Sequence, residues 1–168
     1  VESDGPQFVV HEWGHNGLRV EQAANENSWR ALVDVLQPDL VFIGIGINDA
    51  MQGAKFNAAE FQKTYISLLE QMDDLAIVIL GNTPIGQQHE RAHHHSMTID
   101  ATLKDIAERE GCGFFSFTET LGGGDAWKAC KSHGWLKSDG IHFTESGYLA
   151  LSSMLFKAWQ SAFHAQQP

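Results

Sequence analysis

Leu40-Val41-Phe42-Ile43-Gly44-Ile45-Gly46-Ile47 is a nearly continuous apolar run of strand length, and it ends on the polar pair Asn48-Asp49. A strand with one wet face alternates apolar and polar residues. A run without alternation is buried on both faces, the habit of a parallel sheet covered by helices. The neighbouring segments agree. Ser28–Leu36 sets Trp29, Leu32, Val33 and Leu36 on one helical face and stops before Pro38, and Ala58–Met72 does the same with Phe61, Tyr65, Leu68, Leu69 and Met72. Leu75–Leu80 and Phe114–Phe117 read as further strands, and Phe8–Glu12 as a short one ahead of the turn Gly14-His15-Asn16-Gly17. Met97–Glu110 reads as a helix with Ile99, Leu103, Ile106 and Ala107 inward. Glu145–Phe163 reads as the closing helix, with Tyr148, Leu151, Leu155 and Trp159 in one stripe.

Strand–helix–strand alternation predicts an α/β fold with a parallel sheet and helices on both faces. The 168 residues fit one domain, 1–168, able to bury a core without staples. Ligands of such folds bind outside the carboxyl ends of the strands. The Gly14–Gly17 turn, Asn48-Asp49, the Asn82–Gly86 loop and the Asp139–His142 loop are therefore expected to converge.

A net charge of −10 disfavours nucleic acid and anionic membrane surfaces as partners. No stretch is long and apolar enough to span a bilayer, and Val1–Pro6 lacks the pattern of a signal peptide. The two cysteines, Cys112 and Cys130, are too few for a disulfide scaffold or a cysteine zinc site. Two buried thiols and a single disulfide both fit, the second implying an oxidising compartment.

The chemistry concentrates at three places. A buried strand ending in Gly46-Ile47-Asn48-Asp49 delivers a side-chain amide to the top of the sheet, and an uncharged N–H donor suits a developing oxyanion. Asn48 or Asp49 could equally cap the next segment. At Asn16-Gly17, glycine lets a backbone N–H approach a ligand unhindered, or serves only a positive φ. In Ser138-Asp139-Gly140-Ile141-His142-Phe143-Thr144 a carboxylate precedes a histidine by three residues, the base half of a hydrolase triad. The competing reading makes Thr144 a helix cap and Asp139 a turn residue. His89, His93, His94 and His95 read as histidines of an exposed loop in preference to a metal site, because no carboxylate or cysteine supports them at ligand spacing. Trp127 and Trp135 flank the Asp139 loop and could stack on a sugar or cover the core edge.

In order and spacing, Gly17, Gly46–Asp49 and Asp139–His142 resemble the later blocks of the SGNH hydrolases, the GDSL-type esterase superfamily. Gly111-Cys112-Gly113-Phe114-Phe115, Leu121-Gly122-Gly123-Gly124 and Gly147-Tyr148 are similar to the branch with bacterial peptidoglycan O-acetylesterases and carbohydrate acetylesterases. The resemblance implies a three-layer α/β/α, flavodoxin-like sandwich and ester hydrolysis without a cofactor or metal. It implies His142 as base then acid, Asp139 orienting it, and Asn48 with the Gly17 N–H as oxyanion donors. Asn16, Gly46, Asp49 and Trp13 are the accompanying substrate-binding candidates. The expected substrate is a small-molecule or polysaccharide acyl ester, handled outside the cytoplasm (periplasmic or secreted).

The family pattern opens with Gly-Asp-Ser on the first sheet strand, and no such motif precedes Gly17. Ser3-Asp4-Gly5 and Ser138-Asp139-Gly140 are reversed orderings, and Gly124-Asp125-Ala126 has alanine in the serine position. The sheet is therefore expected to lack its first strand. Three explanations compete: an upstream segment or second chain carrying the serine, a relative that binds acylated glycan without turnover, and an unrecognised nucleophile such as Ser3. A sugar O-acetyltransferase using the same site is a further alternative.

Overall fold

The computed structural model describes residues 9–26, 28–72 and 74–165. Strands β1 (Val41–Ile43), β2 (Ile77–Leu80) and β3 (Gly113–Phe115) form one parallel sheet in that order, with Val41 opposite Ile77 and Val78 opposite Gly113. Helices α1 (Val20–Asn25), α2 (Ser28–Leu36), α3 (Ile47–Ala50) and α4 (Ala58–Leu69) precede β2. Then come α5 (Glu90–Glu110), α6 (Phe117–Thr120), α7 (Ala126–Ser132) and α8 (Glu145–Ala165).

Local chemistry sets the ends of these helices. The Asn57 side chain accepts the N–H groups of Ala59 and Glu60 at 3.0 and 3.1 Å, capping α4. Gly111, in the left-handed region at φ 71°, ends α5 and returns its N–H to Ala107.

Alternation along the strands produces three layers. Ile77, Ile79 and Phe114 join a large core with Tyr65 and Leu68 of α4 and Ile99 and Leu103 of α5. Leu80 and Phe115 face the other way, into a smaller cluster built on Phe117, Cys130, Phe143 and Leu151. An α/β sandwich with a parallel sheet results. The second face is covered in part: Phe42 is 43% exposed, and α8 leaves Leu149, Phe156 and Phe163 in solvent. Among the described residues no strand lies along the outer edge of β1.

Several elements differ from expectation. The apolar run from Leu40 yields only three strand residues, because Gly46 (φ 150°) turns the chain into α3 at Ile47. Phe117 starts a helix and not a strand end, since Ser116 Oγ caps α6 by accepting the Glu119 N–H at 2.9 Å. Phe8 lies outside the described residues, and Val9–Glu12 form no strand; Val10 is 88% exposed, with no described strand alongside to pair with. Helix α5 begins at Glu90, seven residues before the expected start, and so takes in His93, His94 and His95. Both cysteines are free, Cys130 buried and Cys112 half-buried. No helix among the described residues is long and apolar enough to cross a membrane.

Candidate active site

The loop after α7 is a short antiparallel excursion. Leu136 bridges Phe143, Lys137 N–H donates to the His142 carbonyl at 2.8 Å, and Thr144 N–H donates to Trp135 at 2.7 Å. Phe143, fully buried, pins the loop to the smaller cluster. At its tip Asp139 Oδ1 accepts the N–H groups of Ile141 and His142, both at 2.9 Å. Asp139 Oδ2 lies 2.9 Å from His142 Nδ1. The amide of Ile141, then the amide and ring of His142, hold the Asp139 carboxyl well below the usual carboxylate range. A carboxylate that accepts from Nδ1–H leaves Nε2 unprotonated in the neutral ring, and the His142 side chain is 65% exposed. Thr144 does cap α8, its Oγ1 accepting the Gly147 N–H at 3.2 Å, so the capping and pairing readings coexist.

Asn48 sits in the first turn of α3, where Nδ2 donates to the Leu18 carbonyl at 3.1 Å. Its neighbour Asp49 is buried, and Oδ2 accepts the Val20 N–H that opens α1 at 3.2 Å. The Asn-Asp pair thus fastens the Gly17 turn to the end of β1. Burial raises the Asp49 pKa from 3.8 to about 6, against the opposing pull of the Val20 amide and Arg19. Gly17 is exposed with φ 75°; a Cβ there would touch nothing within 4 Å, so conformation and not space calls for glycine.

The expected substrate-binding residues fare differently. Asn16 is exposed in the Gly17 turn. Trp13 is half-buried and packs at 5.8 Å on Trp29 of α2, covering that helix. Gly46 is buried, and a Cβ on it would come within 2.9 Å of Asn82 Oδ1 and 3.0 Å of Ile99. Asp49 faces the interior. Gly46 and Asp49 are thus packed beneath the Asn48 turn. Trp135 stacks on His133 at 4.6 Å and joins the smaller cluster.

The histidine run has partners that spacing did not suggest. His93 Nδ1 donates to the Ile85 carbonyl at 3.0 Å and His95 Nδ1 to Ala50, the last residue of α3, at 3.1 Å. Gln88 and His89 reach the Asp139 loop. Among the described residues no three His, Cys, Asp or Glu side chains gather as a metal site. Beneath the Asn82–Gly86 loop, Ser116 Oγ donates to Asp100 Oδ2 at 2.6 Å and Thr118 Oγ1 to the Asn82 carbonyl at 3.1 Å. Burial raises the Asp100 pKa.

The model of the GDSL-like Lipase/Acylhydrolase family matches residues 2–150. Among solved structures, the chain is similar to a peptidoglycan O-acetylesterase, at 19% identity and TM-score 0.74, over 89% of this chain and 45% of that one. It is also similar to an acetyl xylan esterase, at 19% identity and TM-score 0.65, over 87% of this chain and 78% of that one. A third is a carbohydrate esterase family 3 protein from Talaromyces cellulolyticus, at 17% identity and TM-score 0.65, over 92% of this chain and 72% of that one. The chain thus spans less than half the length of the first of these. No curated protein matches it in sequence.

Proposed function

The chain belongs to the GDSL-like lipase/acylhydrolase family, whose members are carboxylic ester hydrolases, and on that premise we propose that it removes acetyl groups from a carbohydrate. The observation that carries this reading is the Asp139–His142 pair, with Nδ1 held on the carboxylate and the ring open to solvent. The esterase names of the similar structures support acetylated glycan as the substrate class. Such polymers lie outside the cytoplasm, so the reading includes a periplasmic or secreted location.

In this mechanism a serine hydroxyl attacks the acyl carbonyl while His142 Nε2 takes its proton. The amide of Asn48 has two N–H bonds. One is spent on Leu18, which fixes the group; the other and the Gly17 N–H meet the oxyanion. Collapse of the tetrahedral intermediate breaks the bond to the sugar oxygen, which takes the proton back from His142. Water then attacks the acyl-serine with His142 again as base, releasing acetate and regenerating the hydroxyl.

The serine comes, in this reading, from a strand that pairs with the outer edge of β1. The exposed Phe42 on the edge strand β1 supports it, because a parallel sheet ordinarily has both faces covered and an exposed apolar edge strand invites a pairing partner. The test is turnover of p-nitrophenyl acetate and acetylated xylo-oligosaccharides by the full-length protein. Hydrolysis that His142→Ala abolishes is expected; hydrolysis unchanged in that variant rejects the reading.

A further inference from the structure

Three consecutive carbonyls of the base loop each receive a donor from one four-residue stretch ahead of α5. Gln88 Nε2 donates to Ser138 at 3.2 Å, His89 Nε2 to Asp139 at 2.7 Å, and the Gly86 N–H to Gly140 at 2.7 Å. The loops also interlock sterically. A Cβ on Gly140 would run into the Gln88 amide, and one on Gly86 would come within 3.2 Å of Gly140 Cα. A carbonyl only accepts, so the His89 ring carries its proton on Nε2.

We propose that Gln88 and His89 are positioning residues for the Asp139–His142 pair, holding the two peptide planes on either side of the Asp139 α-carbon and so the direction in which its carboxylate points. The argument rests on peptide planarity, which makes each C=O and the following N–H one rigid unit. The Gly140 carbonyl, held by Gly86, shares its plane with the Ile141 N–H that donates to Asp139 Oδ1. The Asp139 carbonyl, held by His89, shares its plane with the Gly140 N–H that closes the turn on Lys137 at 3.0 Å. The Ser138 carbonyl, held by Gln88, shares its plane with the amide of Asp139 itself. Rotating the Gly140 plane turns a donor away from the carboxylate, rotating the Asp139 plane opens the turn, and rotating the Ser138 plane swings the Asp139 α-carbon and its side chain with it. The imidazole loses its fixed partner in each case.

Both side chains stand in an open groove of about 300 Å³ together with Met51, Glu90 and Arg91, not in either packed cluster. Their removal therefore leaves the core intact, which makes the positioning role separable from general stability.

The test has an arm that needs no catalysis. Asp139 in the full-length protein is titrated by carbon-13 NMR of its carboxyl, in wild type, His89→Ala, His89→Gln and Gln88→Ala. The midpoint, well below the ordinary carboxylate range in wild type, is expected to rise in His89→Ala and to a smaller extent in Gln88→Ala. It is expected to return in His89→Gln, whose amide N–H reaches as far as the ring Nε2. An unchanged midpoint in both alanine variants overturns the inference, as does an equal rise in His89→Gln. The second arm rests on the hydrolase reading above: His89→Ala should lower kcat on p-nitrophenyl acetate by roughly 10–10²-fold with KM unchanged, the scale of a small misplacement of a catalytic group. A loss of kcat with no movement of the Asp139 midpoint also overturns the positioning role. If wild type shows no hydrolysis, the hydrolase reading fails while the titration still decides this one.

Discussion

Asn48 Nδ2 lies 3.1 Å from the Leu18 carbonyl, and that bond helps to join the Gly17 turn to the head of α3. In the proposed mechanism the residue has two jobs, one for each of its amide hydrogens. Replacing it with alanine removes an oxyanion donor, expected to lower kcat by roughly 10²–10³-fold. It also frees a half-buried carbonyl, a loss of about 1 kcal/mol in stability. Paired measurement of acetyl ester turnover and urea unfolding checks both. Wild-type kcat in Asn48→Ala would remove the residue from the oxyanion site.

Asp49 gives a signed pH dependence. Its folded pKa, about 6, lies above the ordinary 3.8 because burial penalises the anion. The folded state therefore holds the proton more tightly than the unfolded chain, and stability falls as pH rises from 3.8 through about 6. Asp49→Asn keeps an oxygen for the Val20 N–H and cannot ionise. Unfolding free energies measured across that window should decline more steeply in wild type than in the variant, which keeps the contribution of the buried Asp100.

Gly140 is constrained twice, by φ 71° and by the Gln88 amide, which stands where a Cβ would go. Gly140→Ala should cost about 1 kcal/mol for the left-handed backbone, with a further steric penalty. Adding Gln88→Ala relieves only the steric part. Thermal unfolding of the two single variants and the double is therefore expected to show favourable coupling. Strict additivity would mean that the loops do not interlock.

The layered fold was legible because helix periodicity and unbroken apolar strands are local signals. Ser28–Leu36 is helical as its stripe of Trp29, Leu32, Val33 and Leu36 requires. The reading stumbled where a tertiary partner decides. Val9–Glu12 has strand composition and no strand beside it among the described residues, and Ile45 belongs to an apolar run that Gly46 diverts. At the site, Asp139 and His142 were legible because three residues of spacing suffice to bring them together. The bond of Asp49 to Val20 was not legible, because the two lie 29 residues apart. The partners of His89, His93 and His95 were hidden for the same reason. His89 meets Asp139 across 50 residues, and only the glutamine and histidine identities hinted that donors were on offer there.

The two packing clusters give the molecule two units of unequal strength. Asn48 and Asp49 stand on the large core through Ala50, whereas His142 rides on the small one through Phe143. Units of that kind open independently, the smaller at lower free energy. Warming should therefore loosen the His142 loop while the sheet and the Asn48 turn persist, with backbone amides around Phe143 exchanging their hydrogens before those of Ile79. On the proposed function, loss of activity would then precede loss of fold, with the contact of Gly86, Gln88 and His89 with residues 138–140 as the place where the two part.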